Sequence, residues 1–250
     1  MRVLAVSTLL LSTWISQSVA LPHVSRDVSI PGPPSDPKPP SSGDGIGEWG
    51  SEDPGIGDYL DKTKFYGIAR TAGTLGLDNA KNNMMHYLGN SGDDQPVTVE
   101  NMLNDLPDFS KAAKAFIQNE ATKAYESLGS SDETAFVSKW ENYYAAKDES
   151  WDWFFAIGGF SYSVSGTMEK VGSKVALKYR VHVFDRYNWD DGKSVDIGPF
   201  HFEDRELGEL HLKGIAQEYV VRGTSGTVSV SDFKPGEAVA LPGEGGRERK

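Results

Sequence analysis

The 250-residue chain carries 36 Asp and Glu against 25 Lys and Arg, a formal net charge of -11, and no cysteine. Nucleic-acid binders draw most of their affinity from Lys and Arg that neutralise phosphates, and the one basic cluster here is the terminal Arg247-Glu-Arg-Lys250, so nucleic acid is not an expected partner. Without thiols the chain has no disulfides, no thiolate zinc site and no cysteine nucleophile, and packing alone must stabilise it.

In chain order, residues 1–20 read as a secretory signal peptide: Arg2, then an apolar run to Ile15, then the small-x-small site Ser18-Val-Ala20. The run is shorter than the ~20 residues a membrane span requires, and no second one follows. A secreted, extracellular protein is therefore expected, without a membrane span. Residues 21–57 are rich in Pro, Gly, Ser and Asp, as in Ile30-Pro-Gly-Pro-Pro-Ser-Asp-Pro-Lys-Pro-Pro40. Such a stretch buries too little surface to offset its chain entropy, and reads as a disordered leader of polyproline II character. It serves as a linker, or alternatively as a propeptide or a ligand for a proline-binding module.

Residues 58–233 read as a single domain. Apolar residues spaced by three and four across 59–88, interrupted by Gly67, Gly73 and Gly76, predict two short helices with a soft joint. A further short helix is expected over 98–106, and Pro107 restarts the chain. The clearest helical pattern covers 111–128 and ends at Gly129. With no helix breaker inside, 132–140 and the Tyr143-Tyr144 pair are expected to extend the helical half to about Lys147. From Trp151 the pattern changes to period two. Phe160, Tyr162 and Val164 alternate with serines, and Val175, Leu177, Tyr179, Val181 and Val183 alternate with polar residues, which predicts two antiparallel strands joined through 169–173. Residues 203–215 return to a helical pattern with Asp204 as N-cap. Strand follows at 219–221 and 227–230, and 234–250 is a disordered polar tail. The expected fold class is α+β: an N-terminal helical half followed by a small antiparallel sheet with one inserted helix.

Extending the alternation of the second strand places Asp185 and Tyr187 on its buried side. An unpaired carboxylate there costs several kcal/mol, so Asp185 requires a partner: Arg186, the Tyr187 hydroxyl, His211, Lys193 or a bound divalent cation. Asp190-Asp-Gly192 has turn composition, and a purely structural reading, in which Asp185 accepts bonds from a turn flanked by aromatics, stands equally open. Of the histidines, His182 shares a strand face with Lys178 and Arg180 and reads as solvated. His201 falls between strand and helix. His86 ends a helix, where a protonated imidazole favours the carbonyl end of the dipole. His211 lies beside the buried stripe made by Leu207 and Ile215. A core histidine bonded to a backbone carbonyl is the commoner reading there, although a titratable group suits acid/base work. No serine elbow, zinc-protease helix, phosphate loop or EF-hand is present.

Three segments in one order carry a resemblance: Trp151-Asp-Trp-Phe-Phe-Ala-Ile-Gly-Gly-Phe-Ser-Tyr162, Asp185-Arg-Tyr-Asn-Trp-Asp190 with Gly192-Lys193, and Leu210-His-Leu-Lys-Gly-Ile-Ala-Gln-Glu-Tyr219. Together with His86-Tyr-Leu-Gly-Asn-Ser-Gly92 they resemble a largely uncharacterised family of secreted or toxin-tail domains of actinobacteria and fungi, over roughly residues 84–227. That likeness implies export and a shared fold, and brings no reaction. A more distant, partial similarity is to bacteriocins of the colicin M type, which cleave the lipid-linked peptidoglycan precursor with an Asp-x-Tyr-Asp run, a following His-Arg and a divalent cation. Asp185 and Tyr187 match the first and third positions, Asn188 replaces the second Asp, and His211, followed by Leu212, is the available substitute for the missing His-Arg.

These readings converge on a secreted effector- or toxin-like protein, a hydrolase acting on another cell or its cell-wall precursor. Asp185, Tyr187 and His211 would be catalytic, and Asp190, Trp189, Lys193, Glu218 and His86 would bind. Asp185 and Asp190 are the ligands for a divalent cation, should one be used. The alternatives are a non-catalytic binding module with an aromatic surface of Trp151, Trp153, Tyr187 and Trp189, and colicin M-like cleavage itself.

Overall fold

A computed structural model describes residues 29–39, 45–129, 131–190, 192, 194–197 and 200–244. The expected signal peptide and Lys193 lie outside the described residues. Among the described residues six helices run α1 Ile56–Thr74, α2 Asp78–Gly89, α3 Val99–Asp105, α4 Pro107–Leu128, α5 Trp151–Ala156 and α6 Asp204–Leu212. The strands are β1 Gln95–Pro96, β2 Glu133–Val137, β3 Glu141–Tyr144, β4 Gly159–Val171, β5 Lys174–Tyr187, β6 Ser194–Ile197, β7 Phe200–Glu203, β8 Tyr219–Thr224 and β9 Val228–Val230. The fold is α+β, with α6 inserted among the strands.

The helical half follows the apolar spacing. α1 and α2 meet at Gly76, whose φ of 81° suits a residue without Cβ. α4 starts on Pro107, whose missing N–H costs nothing in the first turn, and buries Phe109, Ala113, Ile117, Ala121, Ala124 and Leu128 as one stripe. Two helix starts are capped from far along the chain. Asp152 accepts from Asn79 N–H at 3.1 Å and Ala80 N–H at 2.8 Å, and Glu149 accepts from Asp108 N–H at 2.7 Å.

The helical half ends earlier than its composition suggests. Residues 133–137 and 141–144 are strands β2 and β3, not helix, and both pair antiparallel with β4. In β2, Thr134 and Phe136 turn inward while Glu133, Ala135 and Val137 stay exposed, so a period of two decides over helix propensity once β4 supplies the partner. Period two in turn begins at Gly159 and not at Trp151, because Ser150 accepts a hydrogen bond from Trp153 N–H and starts the single turn of α5. β4 and β5 form a long hairpin closed at Gly172, and β4 continues straight through Gly166. A Cβ there would lie 2.5 Å from the Lys178 carbonyl and 2.6 Å from the Phe136 ring, so glycine admits a close approach that no other residue would. β8 and β9 flank β5, β1 lies parallel to β8, and β6 with β7 forms a separate two-stranded ribbon. The N-cap of α6 is Glu203, one residue before the expected Asp204, with Glu203 N–H bonded to Glu206 at 3.0 Å in a capping box.

The helices cover the sheet face formed by Phe160, Tyr162, Val164, Met168, Leu177, Tyr179, Val181 and Val183, all buried. Across the opposite face lies the proline-rich leader. Its described residues are not detached as expected: Ser165 Oγ donates to the Pro31 carbonyl at 2.7 Å, Trp140 Nε1 to the Ser35 carbonyl at 2.9 Å, and Arg222 pairs with Asp36 at 3.1 Å. Further on, Gly50 N–H bonds the His211 carbonyl at 3.1 Å and Glu52 N–H the Leu212 carbonyl at 2.9 Å. The expected free tail is also docked in its described part, where Val239 and Leu241 are buried and Lys114 holds Glu244 at 2.7 Å. The leader is held mainly through its backbone carbonyls and Asp36, which apolar content does not report, and the tail by two apolar residues and one ion pair in an otherwise polar stretch. Among the described residues no helix is long and apolar enough to cross a membrane.

Candidate functional site

Where β5 ends, the chain leaves the sheet over α1, α2 and α5 and encloses a half-open cavity of about 640 Å³, within the range of small-molecule sites. Its apolar wall includes Ile68 and Ala72 of α1, Met84 of α2, and Phe154 and Phe155 of α5. Its polar side includes Asp185, Arg186, Tyr187, Asn188 and Asp190 from the end of β5 and beyond, with Asp204 from the start of α6. Three carboxylates make this side acidic, since the Arg186 guanidinium is turned to the other face of the sheet, over Phe184 and on the Pro37 carbonyl. Burial first, then the charges of Asp204 and Asp185, push the Tyr187 phenol well above its ordinary pKa, so it stays protonated and keeps a hydrogen to donate. Trp189 is 9% exposed, lines the same cavity, and its Nε1 has no hydrogen-bond partner among the described residues.

Aromatic packing holds the polar side in place. Tyr187 stacks on Tyr219 with centroids 4.9 Å apart and planes 19° apart, and meets Trp189 edge-on at 5.5 Å. Tyr87 touches both rings at 6.0 Å while its hydroxyl donates to the Leu207 carbonyl at 2.7 Å, which ties α2 and α6 to the end of β5.

His211 does not join this cavity. It faces the other side of Glu218, where its Nδ1 accepts the Glu218 N–H at 3.2 Å and its remaining ring N–H bonds the Gly47 carbonyl. Burial lowers its pKa, opposed by the Gly47 bond, and the tautomer is fixed with the proton on Nε2. The expected meeting of His211 with Asp185 is thereby replaced by a backbone clasp between leader, α6 and β8. Glu218 bridges the two regions: its Oε1 accepts the Trp189 N–H at 3.2 Å, and its Oε2 lies 3.9 Å from His211 Nε2. Replacing His211 by alanine leaves the Glu218 N–H and Gly47 carbonyl unmet and is expected to cost about 2 kcal/mol of stability, read from a denaturant midpoint, while ligand binding in the cavity is retained.

The other expected site residues lie elsewhere. His86 sits in the last turn of α2 with its Nε2 2.7 Å from the Asp93 carbonyl and its ring against Tyr219, outside the cavity. His201 belongs to β7, not to a loop, and pairs with Asp196 across the ribbon at 2.8 Å. His182 is buried, not solvated: Ser165 Oγ lies 2.8 Å from its Nε2 and Thr224 Oγ1 2.9 Å from its Nδ1, beneath the leader. Trp151 is exposed under Lys147, whereas Trp153 is buried with Nε1 donating to Asp105 at 3.0 Å, so the four expected aromatics form no common surface. Asp204, Phe154 and Phe155 were not anticipated. Among the described residues no three His, Asp or Glu side chains stand close enough to hold a metal ion.

No family model matches the chain, and no curated protein matches it. Among solved structures it is similar to PaeM, a colicin M-like bacteriocin produced by Pseudomonas aeruginosa, with 17% identity, a TM-score of 0.33, and 62% of this chain and 51% of that one covered. It is also similar to the truncated bacteriocin syringacin M from Pseudomonas syringae pv. tomato DC3000, with 14% identity, a TM-score of 0.27, and 61% and 60% covered. The chain thus spans between half and three fifths of the bacteriocins it matches. Superpositions this loose give no residue-by-residue correspondence, and the site rests on its own geometry.

Proposed function

We propose that the protein is an exported, effector-like protein whose cavity takes an amphipathic ligand from another cell, with a lipid-linked cell-wall precursor as the candidate. One observation carries this reading: a single cavity sets the carboxylates of Asp185, Asp190 and Asp204 opposite an apolar wall of Ile68, Met84, Phe154 and Phe155. An apolar chain would lie on the wall. The acidic side would take the sugar and amide groups of the head directly and its pyrophosphate only across a divalent cation, which is why the assay is run with and without Mg²⁺. Asp185 would accept a proton or hydrogen bond from the head or from an attacking water, and the Tyr187 phenol would donate one. His211 would serve the fold and not the chemistry, since both ring nitrogens are engaged by backbone. Hydrolysis of the colicin M kind is the second reading, favoured by the presence of Asp185 and Tyr187 side by side in the cavity.

The test is a titration of the chain with purified lipid-linked precursor, followed by Trp fluorescence, with product release measured in parallel with and without Mg²⁺. Saturable binding is expected, weakened about tenfold in Asp185→Asn, the loss of a charge-assisted hydrogen bond, with an unchanged melting temperature. Binding that ignores Asp185→Asn, or no binding, sinks the proposal. Binding without product release selects the non-catalytic form of it.

A further inference from the structure

The outer face of the sheet holds the leader in a way that packing alone does not require. Of residues 31–39, Pro31, Pro34 and Pro37 are half-buried and those between them exposed, a repeat of three. That is the period of polyproline II, in which one edge of a three-residue turn faces a surface; an added β-strand would repeat every two. Side-chain donors take the carbonyls along this edge. Ser165 Oγ bonds that of Pro31 at 2.7 Å, Trp140 Nε1 that of Ser35 at 2.9 Å, and the Arg186 guanidinium that of Pro37. The one carboxylate of the segment, Asp36, is gripped by both terminal nitrogens of Arg222 at 3.1 and 3.2 Å.

The receiving surface is aromatic and cationic. Trp140 and Phe184 lie 5.9 Å apart, and Phe184 carries the guanidinium of Arg186 at 5.0 Å and that of Arg222 at 5.5 Å. A crevice of about 200 Å³ remains beside Pro33 and Asp36, walled by Trp140, His182, Phe184 and Arg222. An indole N–H on a peptide carbonyl, an aromatic pair beside the proline run and arginine on its acidic residue resemble the aromatic-lined grooves of domains that read proline-rich peptides.

We infer that the sheet face around Trp140, Phe184, Arg186 and Arg222 is a binding groove for an extended, proline-rich peptide bearing one acidic residue, and that the chain's own residues 31–37 occupy it in cis. The leader is then an intramolecular ligand, and its proline content is selected by the groove. Polyproline II is pre-ordered before docking, so little entropy opposes the contact despite the small apolar area.

Exchange in trans tests this. A cleavable site is inserted between Pro39 and Gly45 in the full chain and cut after folding, and a fluorescent synthetic peptide of residues 29–39 is added. The expected result is unchanged circular dichroism on cleavage, saturable uptake of the labelled peptide, and displacement by the unlabelled one. An Asp36→Lys peptide should bind about tenfold more weakly, as should the native peptide to an Arg222→Glu chain, since each replaces a bidentate ion pair by repulsion. No uptake by the cleaved, folded chain, or equal uptake of the Asp36→Lys peptide, overturns the inference. Loss of the fold on cleavage overturns it as well, because the segment would then be part of the core.

Discussion

Phe109→Ala is expected to destabilise the protein by about 4 kcal/mol, the range for a fully buried phenylalanine whose site cannot collapse. Phe109 is fully buried in α4 and meets Phe160 edge-on at 5.0 Å, Tyr162 edge-on at 5.3 Å and Tyr143 at 5.1 Å. The three partners stand on β3 and β4, so their rings are held by the sheet and cannot fill the space. The variant loses the transfer energy of the ring, the aromatic contacts and the packing around the void together. A domain of this size has a total stability of about 5–15 kcal/mol, so the variant keeps only a fraction of it. Chemical denaturation should show a lower midpoint at unchanged slope. A loss below about 1 kcal/mol would mean that α4 does not pack on the sheet as described.

Acid should weaken the fold through His182. Burial first, and then the Arg180 charge, lowers its pKa to about 4 from the ordinary 6.5. Below pH 6.5 the unfolded chain binds a proton that the folded chain refuses until about pH 4, so stability falls as pH falls across that window. The loss amounts to about 3 kcal/mol at the acid end, from 1.36 kcal/mol per pKa unit. The bonding pattern suits the neutral ring: Ser165 Oγ gives its hydrogen to the Pro31 carbonyl, so His182 Nε2 donates to Ser165, and Nδ1 accepts from Thr224. His182→Gln, which keeps a donor towards Ser165 and cannot titrate, should flatten the dependence between pH 6.5 and 4 relative to the parent chain. Parallel pH profiles for the two would place the leader away from His182.

The parts of the fold legible in the sequence are those whose partners are local or whose periodicity is long. The stripe of α4 repeats over five turns, and β5 alternates through Leu177, Tyr179, Val181 and Val183 before reaching Asp185 and Tyr187. That alternation located the cavity's polar side. β2 reads as helix from the sequence because 132–140 holds no helix breaker, and only pairing with β4 makes the Thr134 and Phe136 face count. Asp204 read as a cap because its role depends on the β6–β7 ribbon turning the start of α6 towards β5, which no local pattern encodes. The spacing of Leu207 and Ile215 puts His211 beside the buried stripe and it is buried, yet its orientation depends on Gly47, far along the chain in a segment whose composition carries no packing signal. His182 was misread for the same cause: its strand face is solvent-facing by sequence and covered by the leader in the fold.

The central claim is that the cavity at the end of β5 is the binding site, and amide chemical-shift mapping of the labelled chain during titration with lipid-linked precursor tests it most directly. Shifts should concentrate at Asp185, Tyr187, Trp189 and Asp190, at Phe154 and Phe155, and at Val195 and Ile197, with those of His86, Pro31-adjacent Gly32 and Arg222 unmoved. Saturating shifts confined to the leader face or to the loop around His86 and Asp93, with the cavity residues silent, would contradict the account.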